Sequence, residues 1–168
     1  MKKNIAIAAL CAAMLLTGCS GGSQSSSQGA SESKPDASTA EETLTTAAEK
    51  ADALMSEVTF SGEMVAVDSD SIELRLGFSA DGIADYAAYI CGSGAYPDEF
   101  GIFTADSSEK ADEIKTALEK RVESQKATYA DYTPEEMYKF DDCFIKQEGN
   151  TVYYAVTADN TRAADILG

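Results

Sequence analysis

The 168-residue sequence contains no histidine and no tryptophan, and its 13 lysines and arginines face 29 aspartates and glutamates. Without an imidazole there is no serine or cysteine nucleophile activated by histidine, and no metal site built on histidine. The shortage of positive charge, a formal −16, excludes a surface that grips nucleic-acid phosphates or anionic lipid headgroups. No Cys-x-x-Cys spacing occurs among the four cysteines, which removes a dithiol redox centre. Gly92-Ser93-Gly94 lacks the lysine and spacing of a P-loop, so it reads as a plain connector. The longest apolar run, Ile5 to Leu16, has 12 residues, short of the roughly 20 that span a bilayer.

That run is of the length of a signal-peptide core, and Lys2 and Lys3 precede it as a positive n-region. Leu16-Thr17-Gly18-Cys19 follows, and it resembles the lipobox of bacterial lipoproteins. The resemblance implies cleavage between Gly18 and Cys19 and attachment of a diacylglycerol to the Cys19 thiol. Two or more acyl chains, at about 0.8 kcal/mol per buried methylene, hold such a chain stably on a membrane. Loss of Lys2 and Lys3 with the signal takes the formal charge to about −18. Ser20 to Thr39 is dominated by serine and glycine with almost no large apolar residue. It has too little to bury and is expected to be a compliant tether with a span of roughly 25 Å.

The expected domains are therefore 1–18, signal peptide; 19–39, lipidated cysteine and disordered tether; and 40–168, one folded domain. Ser38 with Glu41, or Thr39 with Glu42, has capping-box spacing, and Leu44, Ala47, Ala48, Ala51, Leu54, Met55 and Val58 fall on one helical face. Met64 to Val67 reads as briefly extended at most, and Asp70-Ser71-Ile72-Glu73 as a cap into a short helix ending by Gly77. Asp85 to Cys91 and Glu99 to Ala105 are apolar on both alternating sides, as interior strands are, and the turn-rich loop between them suits an antiparallel return. Asp106 and Glu109 are spaced to cap a long helix with Ala111, Ile114, Leu118, Val122 and Tyr129 along one face. Thr133-Pro134-Glu135-Glu136 predicts a short helix toward Phe140. Cys143 to Gln147 and Thr151 to Thr157 form a hairpin around Gly149-Asn150, and a last helix, capped near Thr157 or Asp159, runs to about Leu167. The expected fold class is α+β: an antiparallel four-stranded sheet with helices packed mainly on one face.

Several of these phrases, in this order, resemble a known family. The lipobox and serine-rich tether, Ser56-Glu57-Val58-Thr59-Phe60, Tyr89-Ile90-Cys91-Gly92-Ser93-Gly94-Ala95 and Glu99-Phe100-Gly101-Ile102-Phe103 look like the clostridial lipoproteins grouped as domain-of-unknown-function family 4358. Leu118 to Lys126, Tyr132-Thr133-Pro134-Glu135 and the Gly149-Asn150 hairpin extend the likeness over about residues 40 to 168. The resemblance implies a Gram-positive cell-envelope lipoprotein and carries no catalytic residue.

The remaining chemistry is sparse. Cys11 leaves with the signal and Cys19 is committed to lipid, so only Cys91 and Cys143 remain to pair or to stay as buried thiols. Asp68-Ser69-Asp70-Ser71-Ile72-Glu73 has the alternating carboxylates of a calcium loop, but Glu73 stands where glycine is required, so a helix cap is the reading. Asp141 and Asp142 are adjacent and in a strand would face opposite ways, which suits no paired acid–base role. Tyr129, Tyr132 and Tyr138 could form a ligand platform or seal the edge of the core. No cofactor or metal is expected, and no enzyme activity. The favoured function is a non-catalytic binding or interaction module on the outer face of the cell membrane, engaging an unidentified envelope protein or peptide. The alternative is a glycan-cleaving envelope enzyme using carboxylates alone, which needs two acids facing across a cleft about 5 to 9.5 Å apart.

Overall fold

The structure is a computed structural model and describes residues 46–168. Gly18, Cys19 and the Ser38–Glu41 and Thr39–Glu42 pairs lie outside the described residues. The first helix, α1 (Ala47–Glu57), starts from a different capping box: Thr46 Oγ1 accepts from the Glu49 amide at 3.2 Å, and Glu49 Oε2 accepts from the Thr46 amide at 3.0 Å. The Ala47 amide donates to Asp85 Oδ2 at 2.9 Å, which joins the helix start to the sheet. Strand β1 (Met64–Ala66) follows, then a 3₁₀ turn (Ser69–Ser71) whose Ser71 amide is accepted by Asp68 at 3.0 Å. That turn leads into α2 (Ile72–Leu76), ended by Gly77 in the left-handed region at φ +88°, where a side chain would be strained.

Strands β2 (Ile83–Cys91) and β3 (Glu99–Ala105) pair antiparallel with Tyr86 opposite Phe103. The long helix α3 (Ser108–Tyr132) is capped by Ser107, which accepts from the Lys110 amide at 3.2 Å, one residue beyond the expected Asp106. Pro134–Phe140 is 3₁₀ rather than α-helical. Strands β4 (Phe144–Glu148) and β5 (Thr151–Val156) close a hairpin with Gly149 at φ +58°, and α4 (Asn160–Leu167) is capped by Asp159.

The sheet is antiparallel, with five strands in the order β1-β2-β3-β5-β4, not four. The additional strand is β1, three residues long and at the edge; a segment that short carries no readable period. A second expectation also fails: helices cover both faces. Phe100 and Ile102 of β3, with Tyr153 and Ala155 of β5, pack against Ala47, Ala51 and Leu54 of α1 and Ala163 and Leu167 of α4. Phe103 and Ala105, with Val152 and Tyr154, pack instead against Ile72 and Leu76 of α2 and Ala111, Ile114 and Leu118 of α3. The cause lies in β3 and β5, whose residues are buried on both alternating sides and would leave an apolar face wet in a two-layer arrangement.

Gly101, in the middle of β3, lets the second face close. A Cβ there would lie 2.6 Å from both the Phe103 and Tyr154 rings. The two rings stack with centroids 6.3 Å apart, and Phe78 meets Phe103 edge-on at 5.2 Å.

Candidate functional site

Two acids open β3, and each is buried with a cation of its own. Asp98 and Glu99 are both 1% exposed, which without partners would cost several kcal/mol per charge. Glu99 receives a fork from Arg121 of α3, Nε to Oε1 at 3.0 Å and Nη2 to Oε2 at 2.7 Å, and a third bond from Gln125 Nε2 at 3.1 Å. Arg121 and Gln125 stand four residues apart on α3, so both reach the same carboxylate. Burial pushes the Glu99 carboxyl above its ordinary range, and Arg121 and Gln125 hold part of that rise back. Burial works against the Arg121 charge as well, but Glu99 outweighs it and the guanidinium is held as a cation. The remaining Arg121 amino group donates to the Arg75 carbonyl at the end of α2. The fully buried Tyr154 hydroxyl sits in the same cluster, its pKa driven well above 10 by desolvation and then by Glu99.

Asp98 is met by Lys139 from the 3₁₀ helix. The ammonium lies 2.5 Å from Asp98 Oδ2, 2.7 Å from Glu136 Oε2 and 2.6 Å from Ser61 Oγ, which sets it between two carboxylates and a hydroxyl. Burial lowers the Lys139 pKa, but the hydrogen bonds to Asp98 and Glu136 outweigh it and the net shift is upward. A protonated amine with no free lone pair cannot take a proton from Ser61, so this serine–lysine contact is a structural tripod and not a nucleophile with its base. It fastens the β2–β3 loop and the segment after α1 to the 3₁₀ helix.

Two openings adjoin this cluster. A cavity of about 70 Å³ lies under the β2–β3 loop among Cys91, Tyr96, Tyr129 and Gln125, enough for about two waters at roughly 30 Å³ each. Gln125 Oε1 is buried there without a hydrogen-bond partner, while the Tyr129 hydroxyl donates to the Gly94 carbonyl at 3.2 Å. On the far side of Arg121 a cleft of about 660 Å³ runs between α2 and α3, over Leu76 and Ala117. Its volume falls in the range of about 300–1,000 Å³ that small-molecule sites occupy.

Cys91 closes β2 and Cys143 precedes β4; both are free, half-buried thiols, and burial is the main reason the Cys143 thiol is pushed up. Asp68 is a cap, as expected of that acidic run, and no group of metal-binding side chains occurs among the described residues. Asp141 and Asp142 follow the 3₁₀ helix in a turn instead of standing in a strand. Tyr129 is buried against Phe140, whereas Tyr132 and Tyr138 are exposed. Asp98, Glu99, Arg121 and Lys139 escape sequence reasoning because each looks like an ordinary solvated charge. One signal is present: Arg121 falls between Leu118 and Val122, at the border of the buried stripe.

Comparison with known proteins matches residues 56–157 to the domain of unknown function DUF4358, and the chain belongs to that family. The matched span runs from the end of α1 to the end of β5 and contains both buried ion clusters. No curated protein and no solved structure matches the chain.

Proposed function

We propose that this family member is a membrane-anchored extracytoplasmic lipoprotein of clostridial type, whose folded domain is a non-catalytic binding module. The anchor rests on the sequence: Lys2 and Lys3, the apolar run Ile5 to Leu16, and Leu16-Thr17-Gly18-Cys19 stand in the order an exported, lipidated chain requires. Among the described residues no helix is long and apolar enough to cross a membrane, and the attachment proposed here is a lipid on Cys19.

The binding reading is carried by one observation. The buried charges of the domain are each neutralised by a fixed partner, whereas the cleft between α2 and α3 is open to solvent and unfilled by the chain's own side chains. Reactive acids are kept with shifted pKa in a cleft and free to exchange protons. Glu99 and Asp98 are tied instead to Arg121 and Lys139, which suits a frame that holds a surface in shape.

Intact-mass analysis of the chain isolated from its native membrane tests the anchor. The expected N-terminus is Cys19 bearing a diacylglycerol, and Cys19→Ala should move the protein to the soluble fraction. A wild-type chain recovered without a fatty adduct would refute it. Crosslinking in intact cells, with Cys19→Ala as control, tests the module: a specific partner lost with the anchor is expected.

A further inference from the structure

The α2–α3 cleft is electrically two-ended. Glu109, Asp112 and Glu113 line it at the start of α3, and Arg75 and Lys120 line it at the other end. Lys110 answers Glu113 at 3.0 Å and Gln147 donates to Asp112 at 2.9 Å, which leaves the acidic end net negative. Arg75 and Lys120 form no ion pair among the described residues, although six other cations of this acidic chain are paired there: Lys110, Lys115, Arg121, Lys139, Lys146 and Arg162. Beside them Leu74 projects with 90% of its surface exposed, while its neighbours Ile72 and Leu76 are buried. Beneath, Arg121 is locked to Glu99 and to the Arg75 carbonyl, which fixes α2 against α3 and keeps the cleft walls in register.

Building on the binding-module reading, we infer that this cleft receives a short extended peptide segment. Its occupant places a basic side chain at the acidic end, an acidic side chain between Arg75 and Lys120, and an apolar side chain against Leu74 and Ala117. Charge complementarity selects this class. A phosphate-bearing polymer or an anionic lipid would be repelled by Glu109, Asp112 and Glu113, and a neutral glycan would leave Arg75 and Lys120 unanswered. The length agrees: from the middle of the acidic group to Lys120 is about 13 Å along α3, which four residues of extended chain cover at about 3.3 Å each.

The test uses the full chain, ¹⁵N-labelled, and the pentapeptide acetyl-Lys-Ala-Leu-Ala-Glu-amide, with otherwise identical peptides carrying two lysines or two glutamates. The mixed-charge peptide should shift the amide resonances of Leu74, Ala117 and Lys120 and bind about fivefold to tenfold tighter than either control, the gain expected when one exposed charge contact turns from repulsive to attractive. In the double variant Arg75→Glu/Lys120→Glu the preference should pass to the two-lysine peptide, and Leu74→Asp should weaken all three. Equal binding of the three peptides, or no binding at all, overturns the assignment. Shifts confined to another surface, such as that of Tyr132 and Tyr138, also overturn it while leaving a binding module in place. The mass analysis of Cys19 reports on anchoring separately.

Discussion

The Lys139 ammonium lies 2.5 Å from the Asp98 carboxylate, and neither side chain is exposed to solvent. Removing one partner of such a pair strands the other in a medium that solvates it poorly. Lys139→Met should therefore lower stability by about 3–5 kcal/mol in urea unfolding. Adding Asp98→Asn should recover part of that loss, because the stranded charge goes with it. A double variant no more stable than Lys139→Met would show that packing, not charge, sets the cost.

The same contact predicts an alkaline limit. Lys139 has a folded pKa above its ordinary 10.5, so its contribution to stability is complete below that pH and is lost as pH rises through the folded value. Wild type should lose stability above about pH 10.5, and Lys139→Met should show a shallower decline over the same window. The decline of the variant will not be flat, because the raised pKa of buried Tyr154 also favours unfolding as its phenol ionises. Thermal unfolding at stepped pH measures the difference; parallel curves would remove Lys139 from the explanation.

Gly101→Ala should destabilise the domain by about 1–3 kcal/mol, the usual cost of overpacking a core. The added methyl would press on the Phe103 and Tyr154 rings, both fully buried and stacked. Denaturant unfolding gives the magnitude, and a neutral result would mean that the rings rotate away without penalty.

Cys91 and Cys143 should remain thiols. Alkylation of the non-reduced, denatured protein should label both, and in the native state Cys143 should react slowly, since burial raises its pKa and lowers its thiolate fraction. A mass consistent with an internal disulfide would contradict the geometry.

How much of this was legible in the sequence depends on the kind of signal. The strands from Asp85 to Cys91 and from Glu99 to Ala105, the buried stripe of α3 and the Gly149-Asn150 turn follow from periodicity and turn chemistry, which are local. β1 is legible only as a brief extension over Met64 to Val67 and not as a strand of the sheet, because three residues at an edge are recruited by pairing with Tyr89 to Cys91 and not by their own pattern. The coverage of both faces is encoded in the apolar runs of β3 and β5, since a strand apolar on both sides needs a layer over each. The ion clusters were the least visible part. Nothing local separates Glu99 from a solvated glutamate until Arg121, 22 residues on, is folded across it.

α1 gives the domain an unusual mechanical start. Its first amide is gripped by Asp85, Lys50 reaches the Leu167 carbonyl at 2.7 Å, and Leu54 is wholly enclosed by the sheet. Tension arriving from the N-terminal direction is delivered to a helix seated on the central strand β3 and bolted to α4, not to a hairpin that could unzip one rung at a time. Peeling it away requires many contacts to fail together, so under such a load the domain should yield late and all at once.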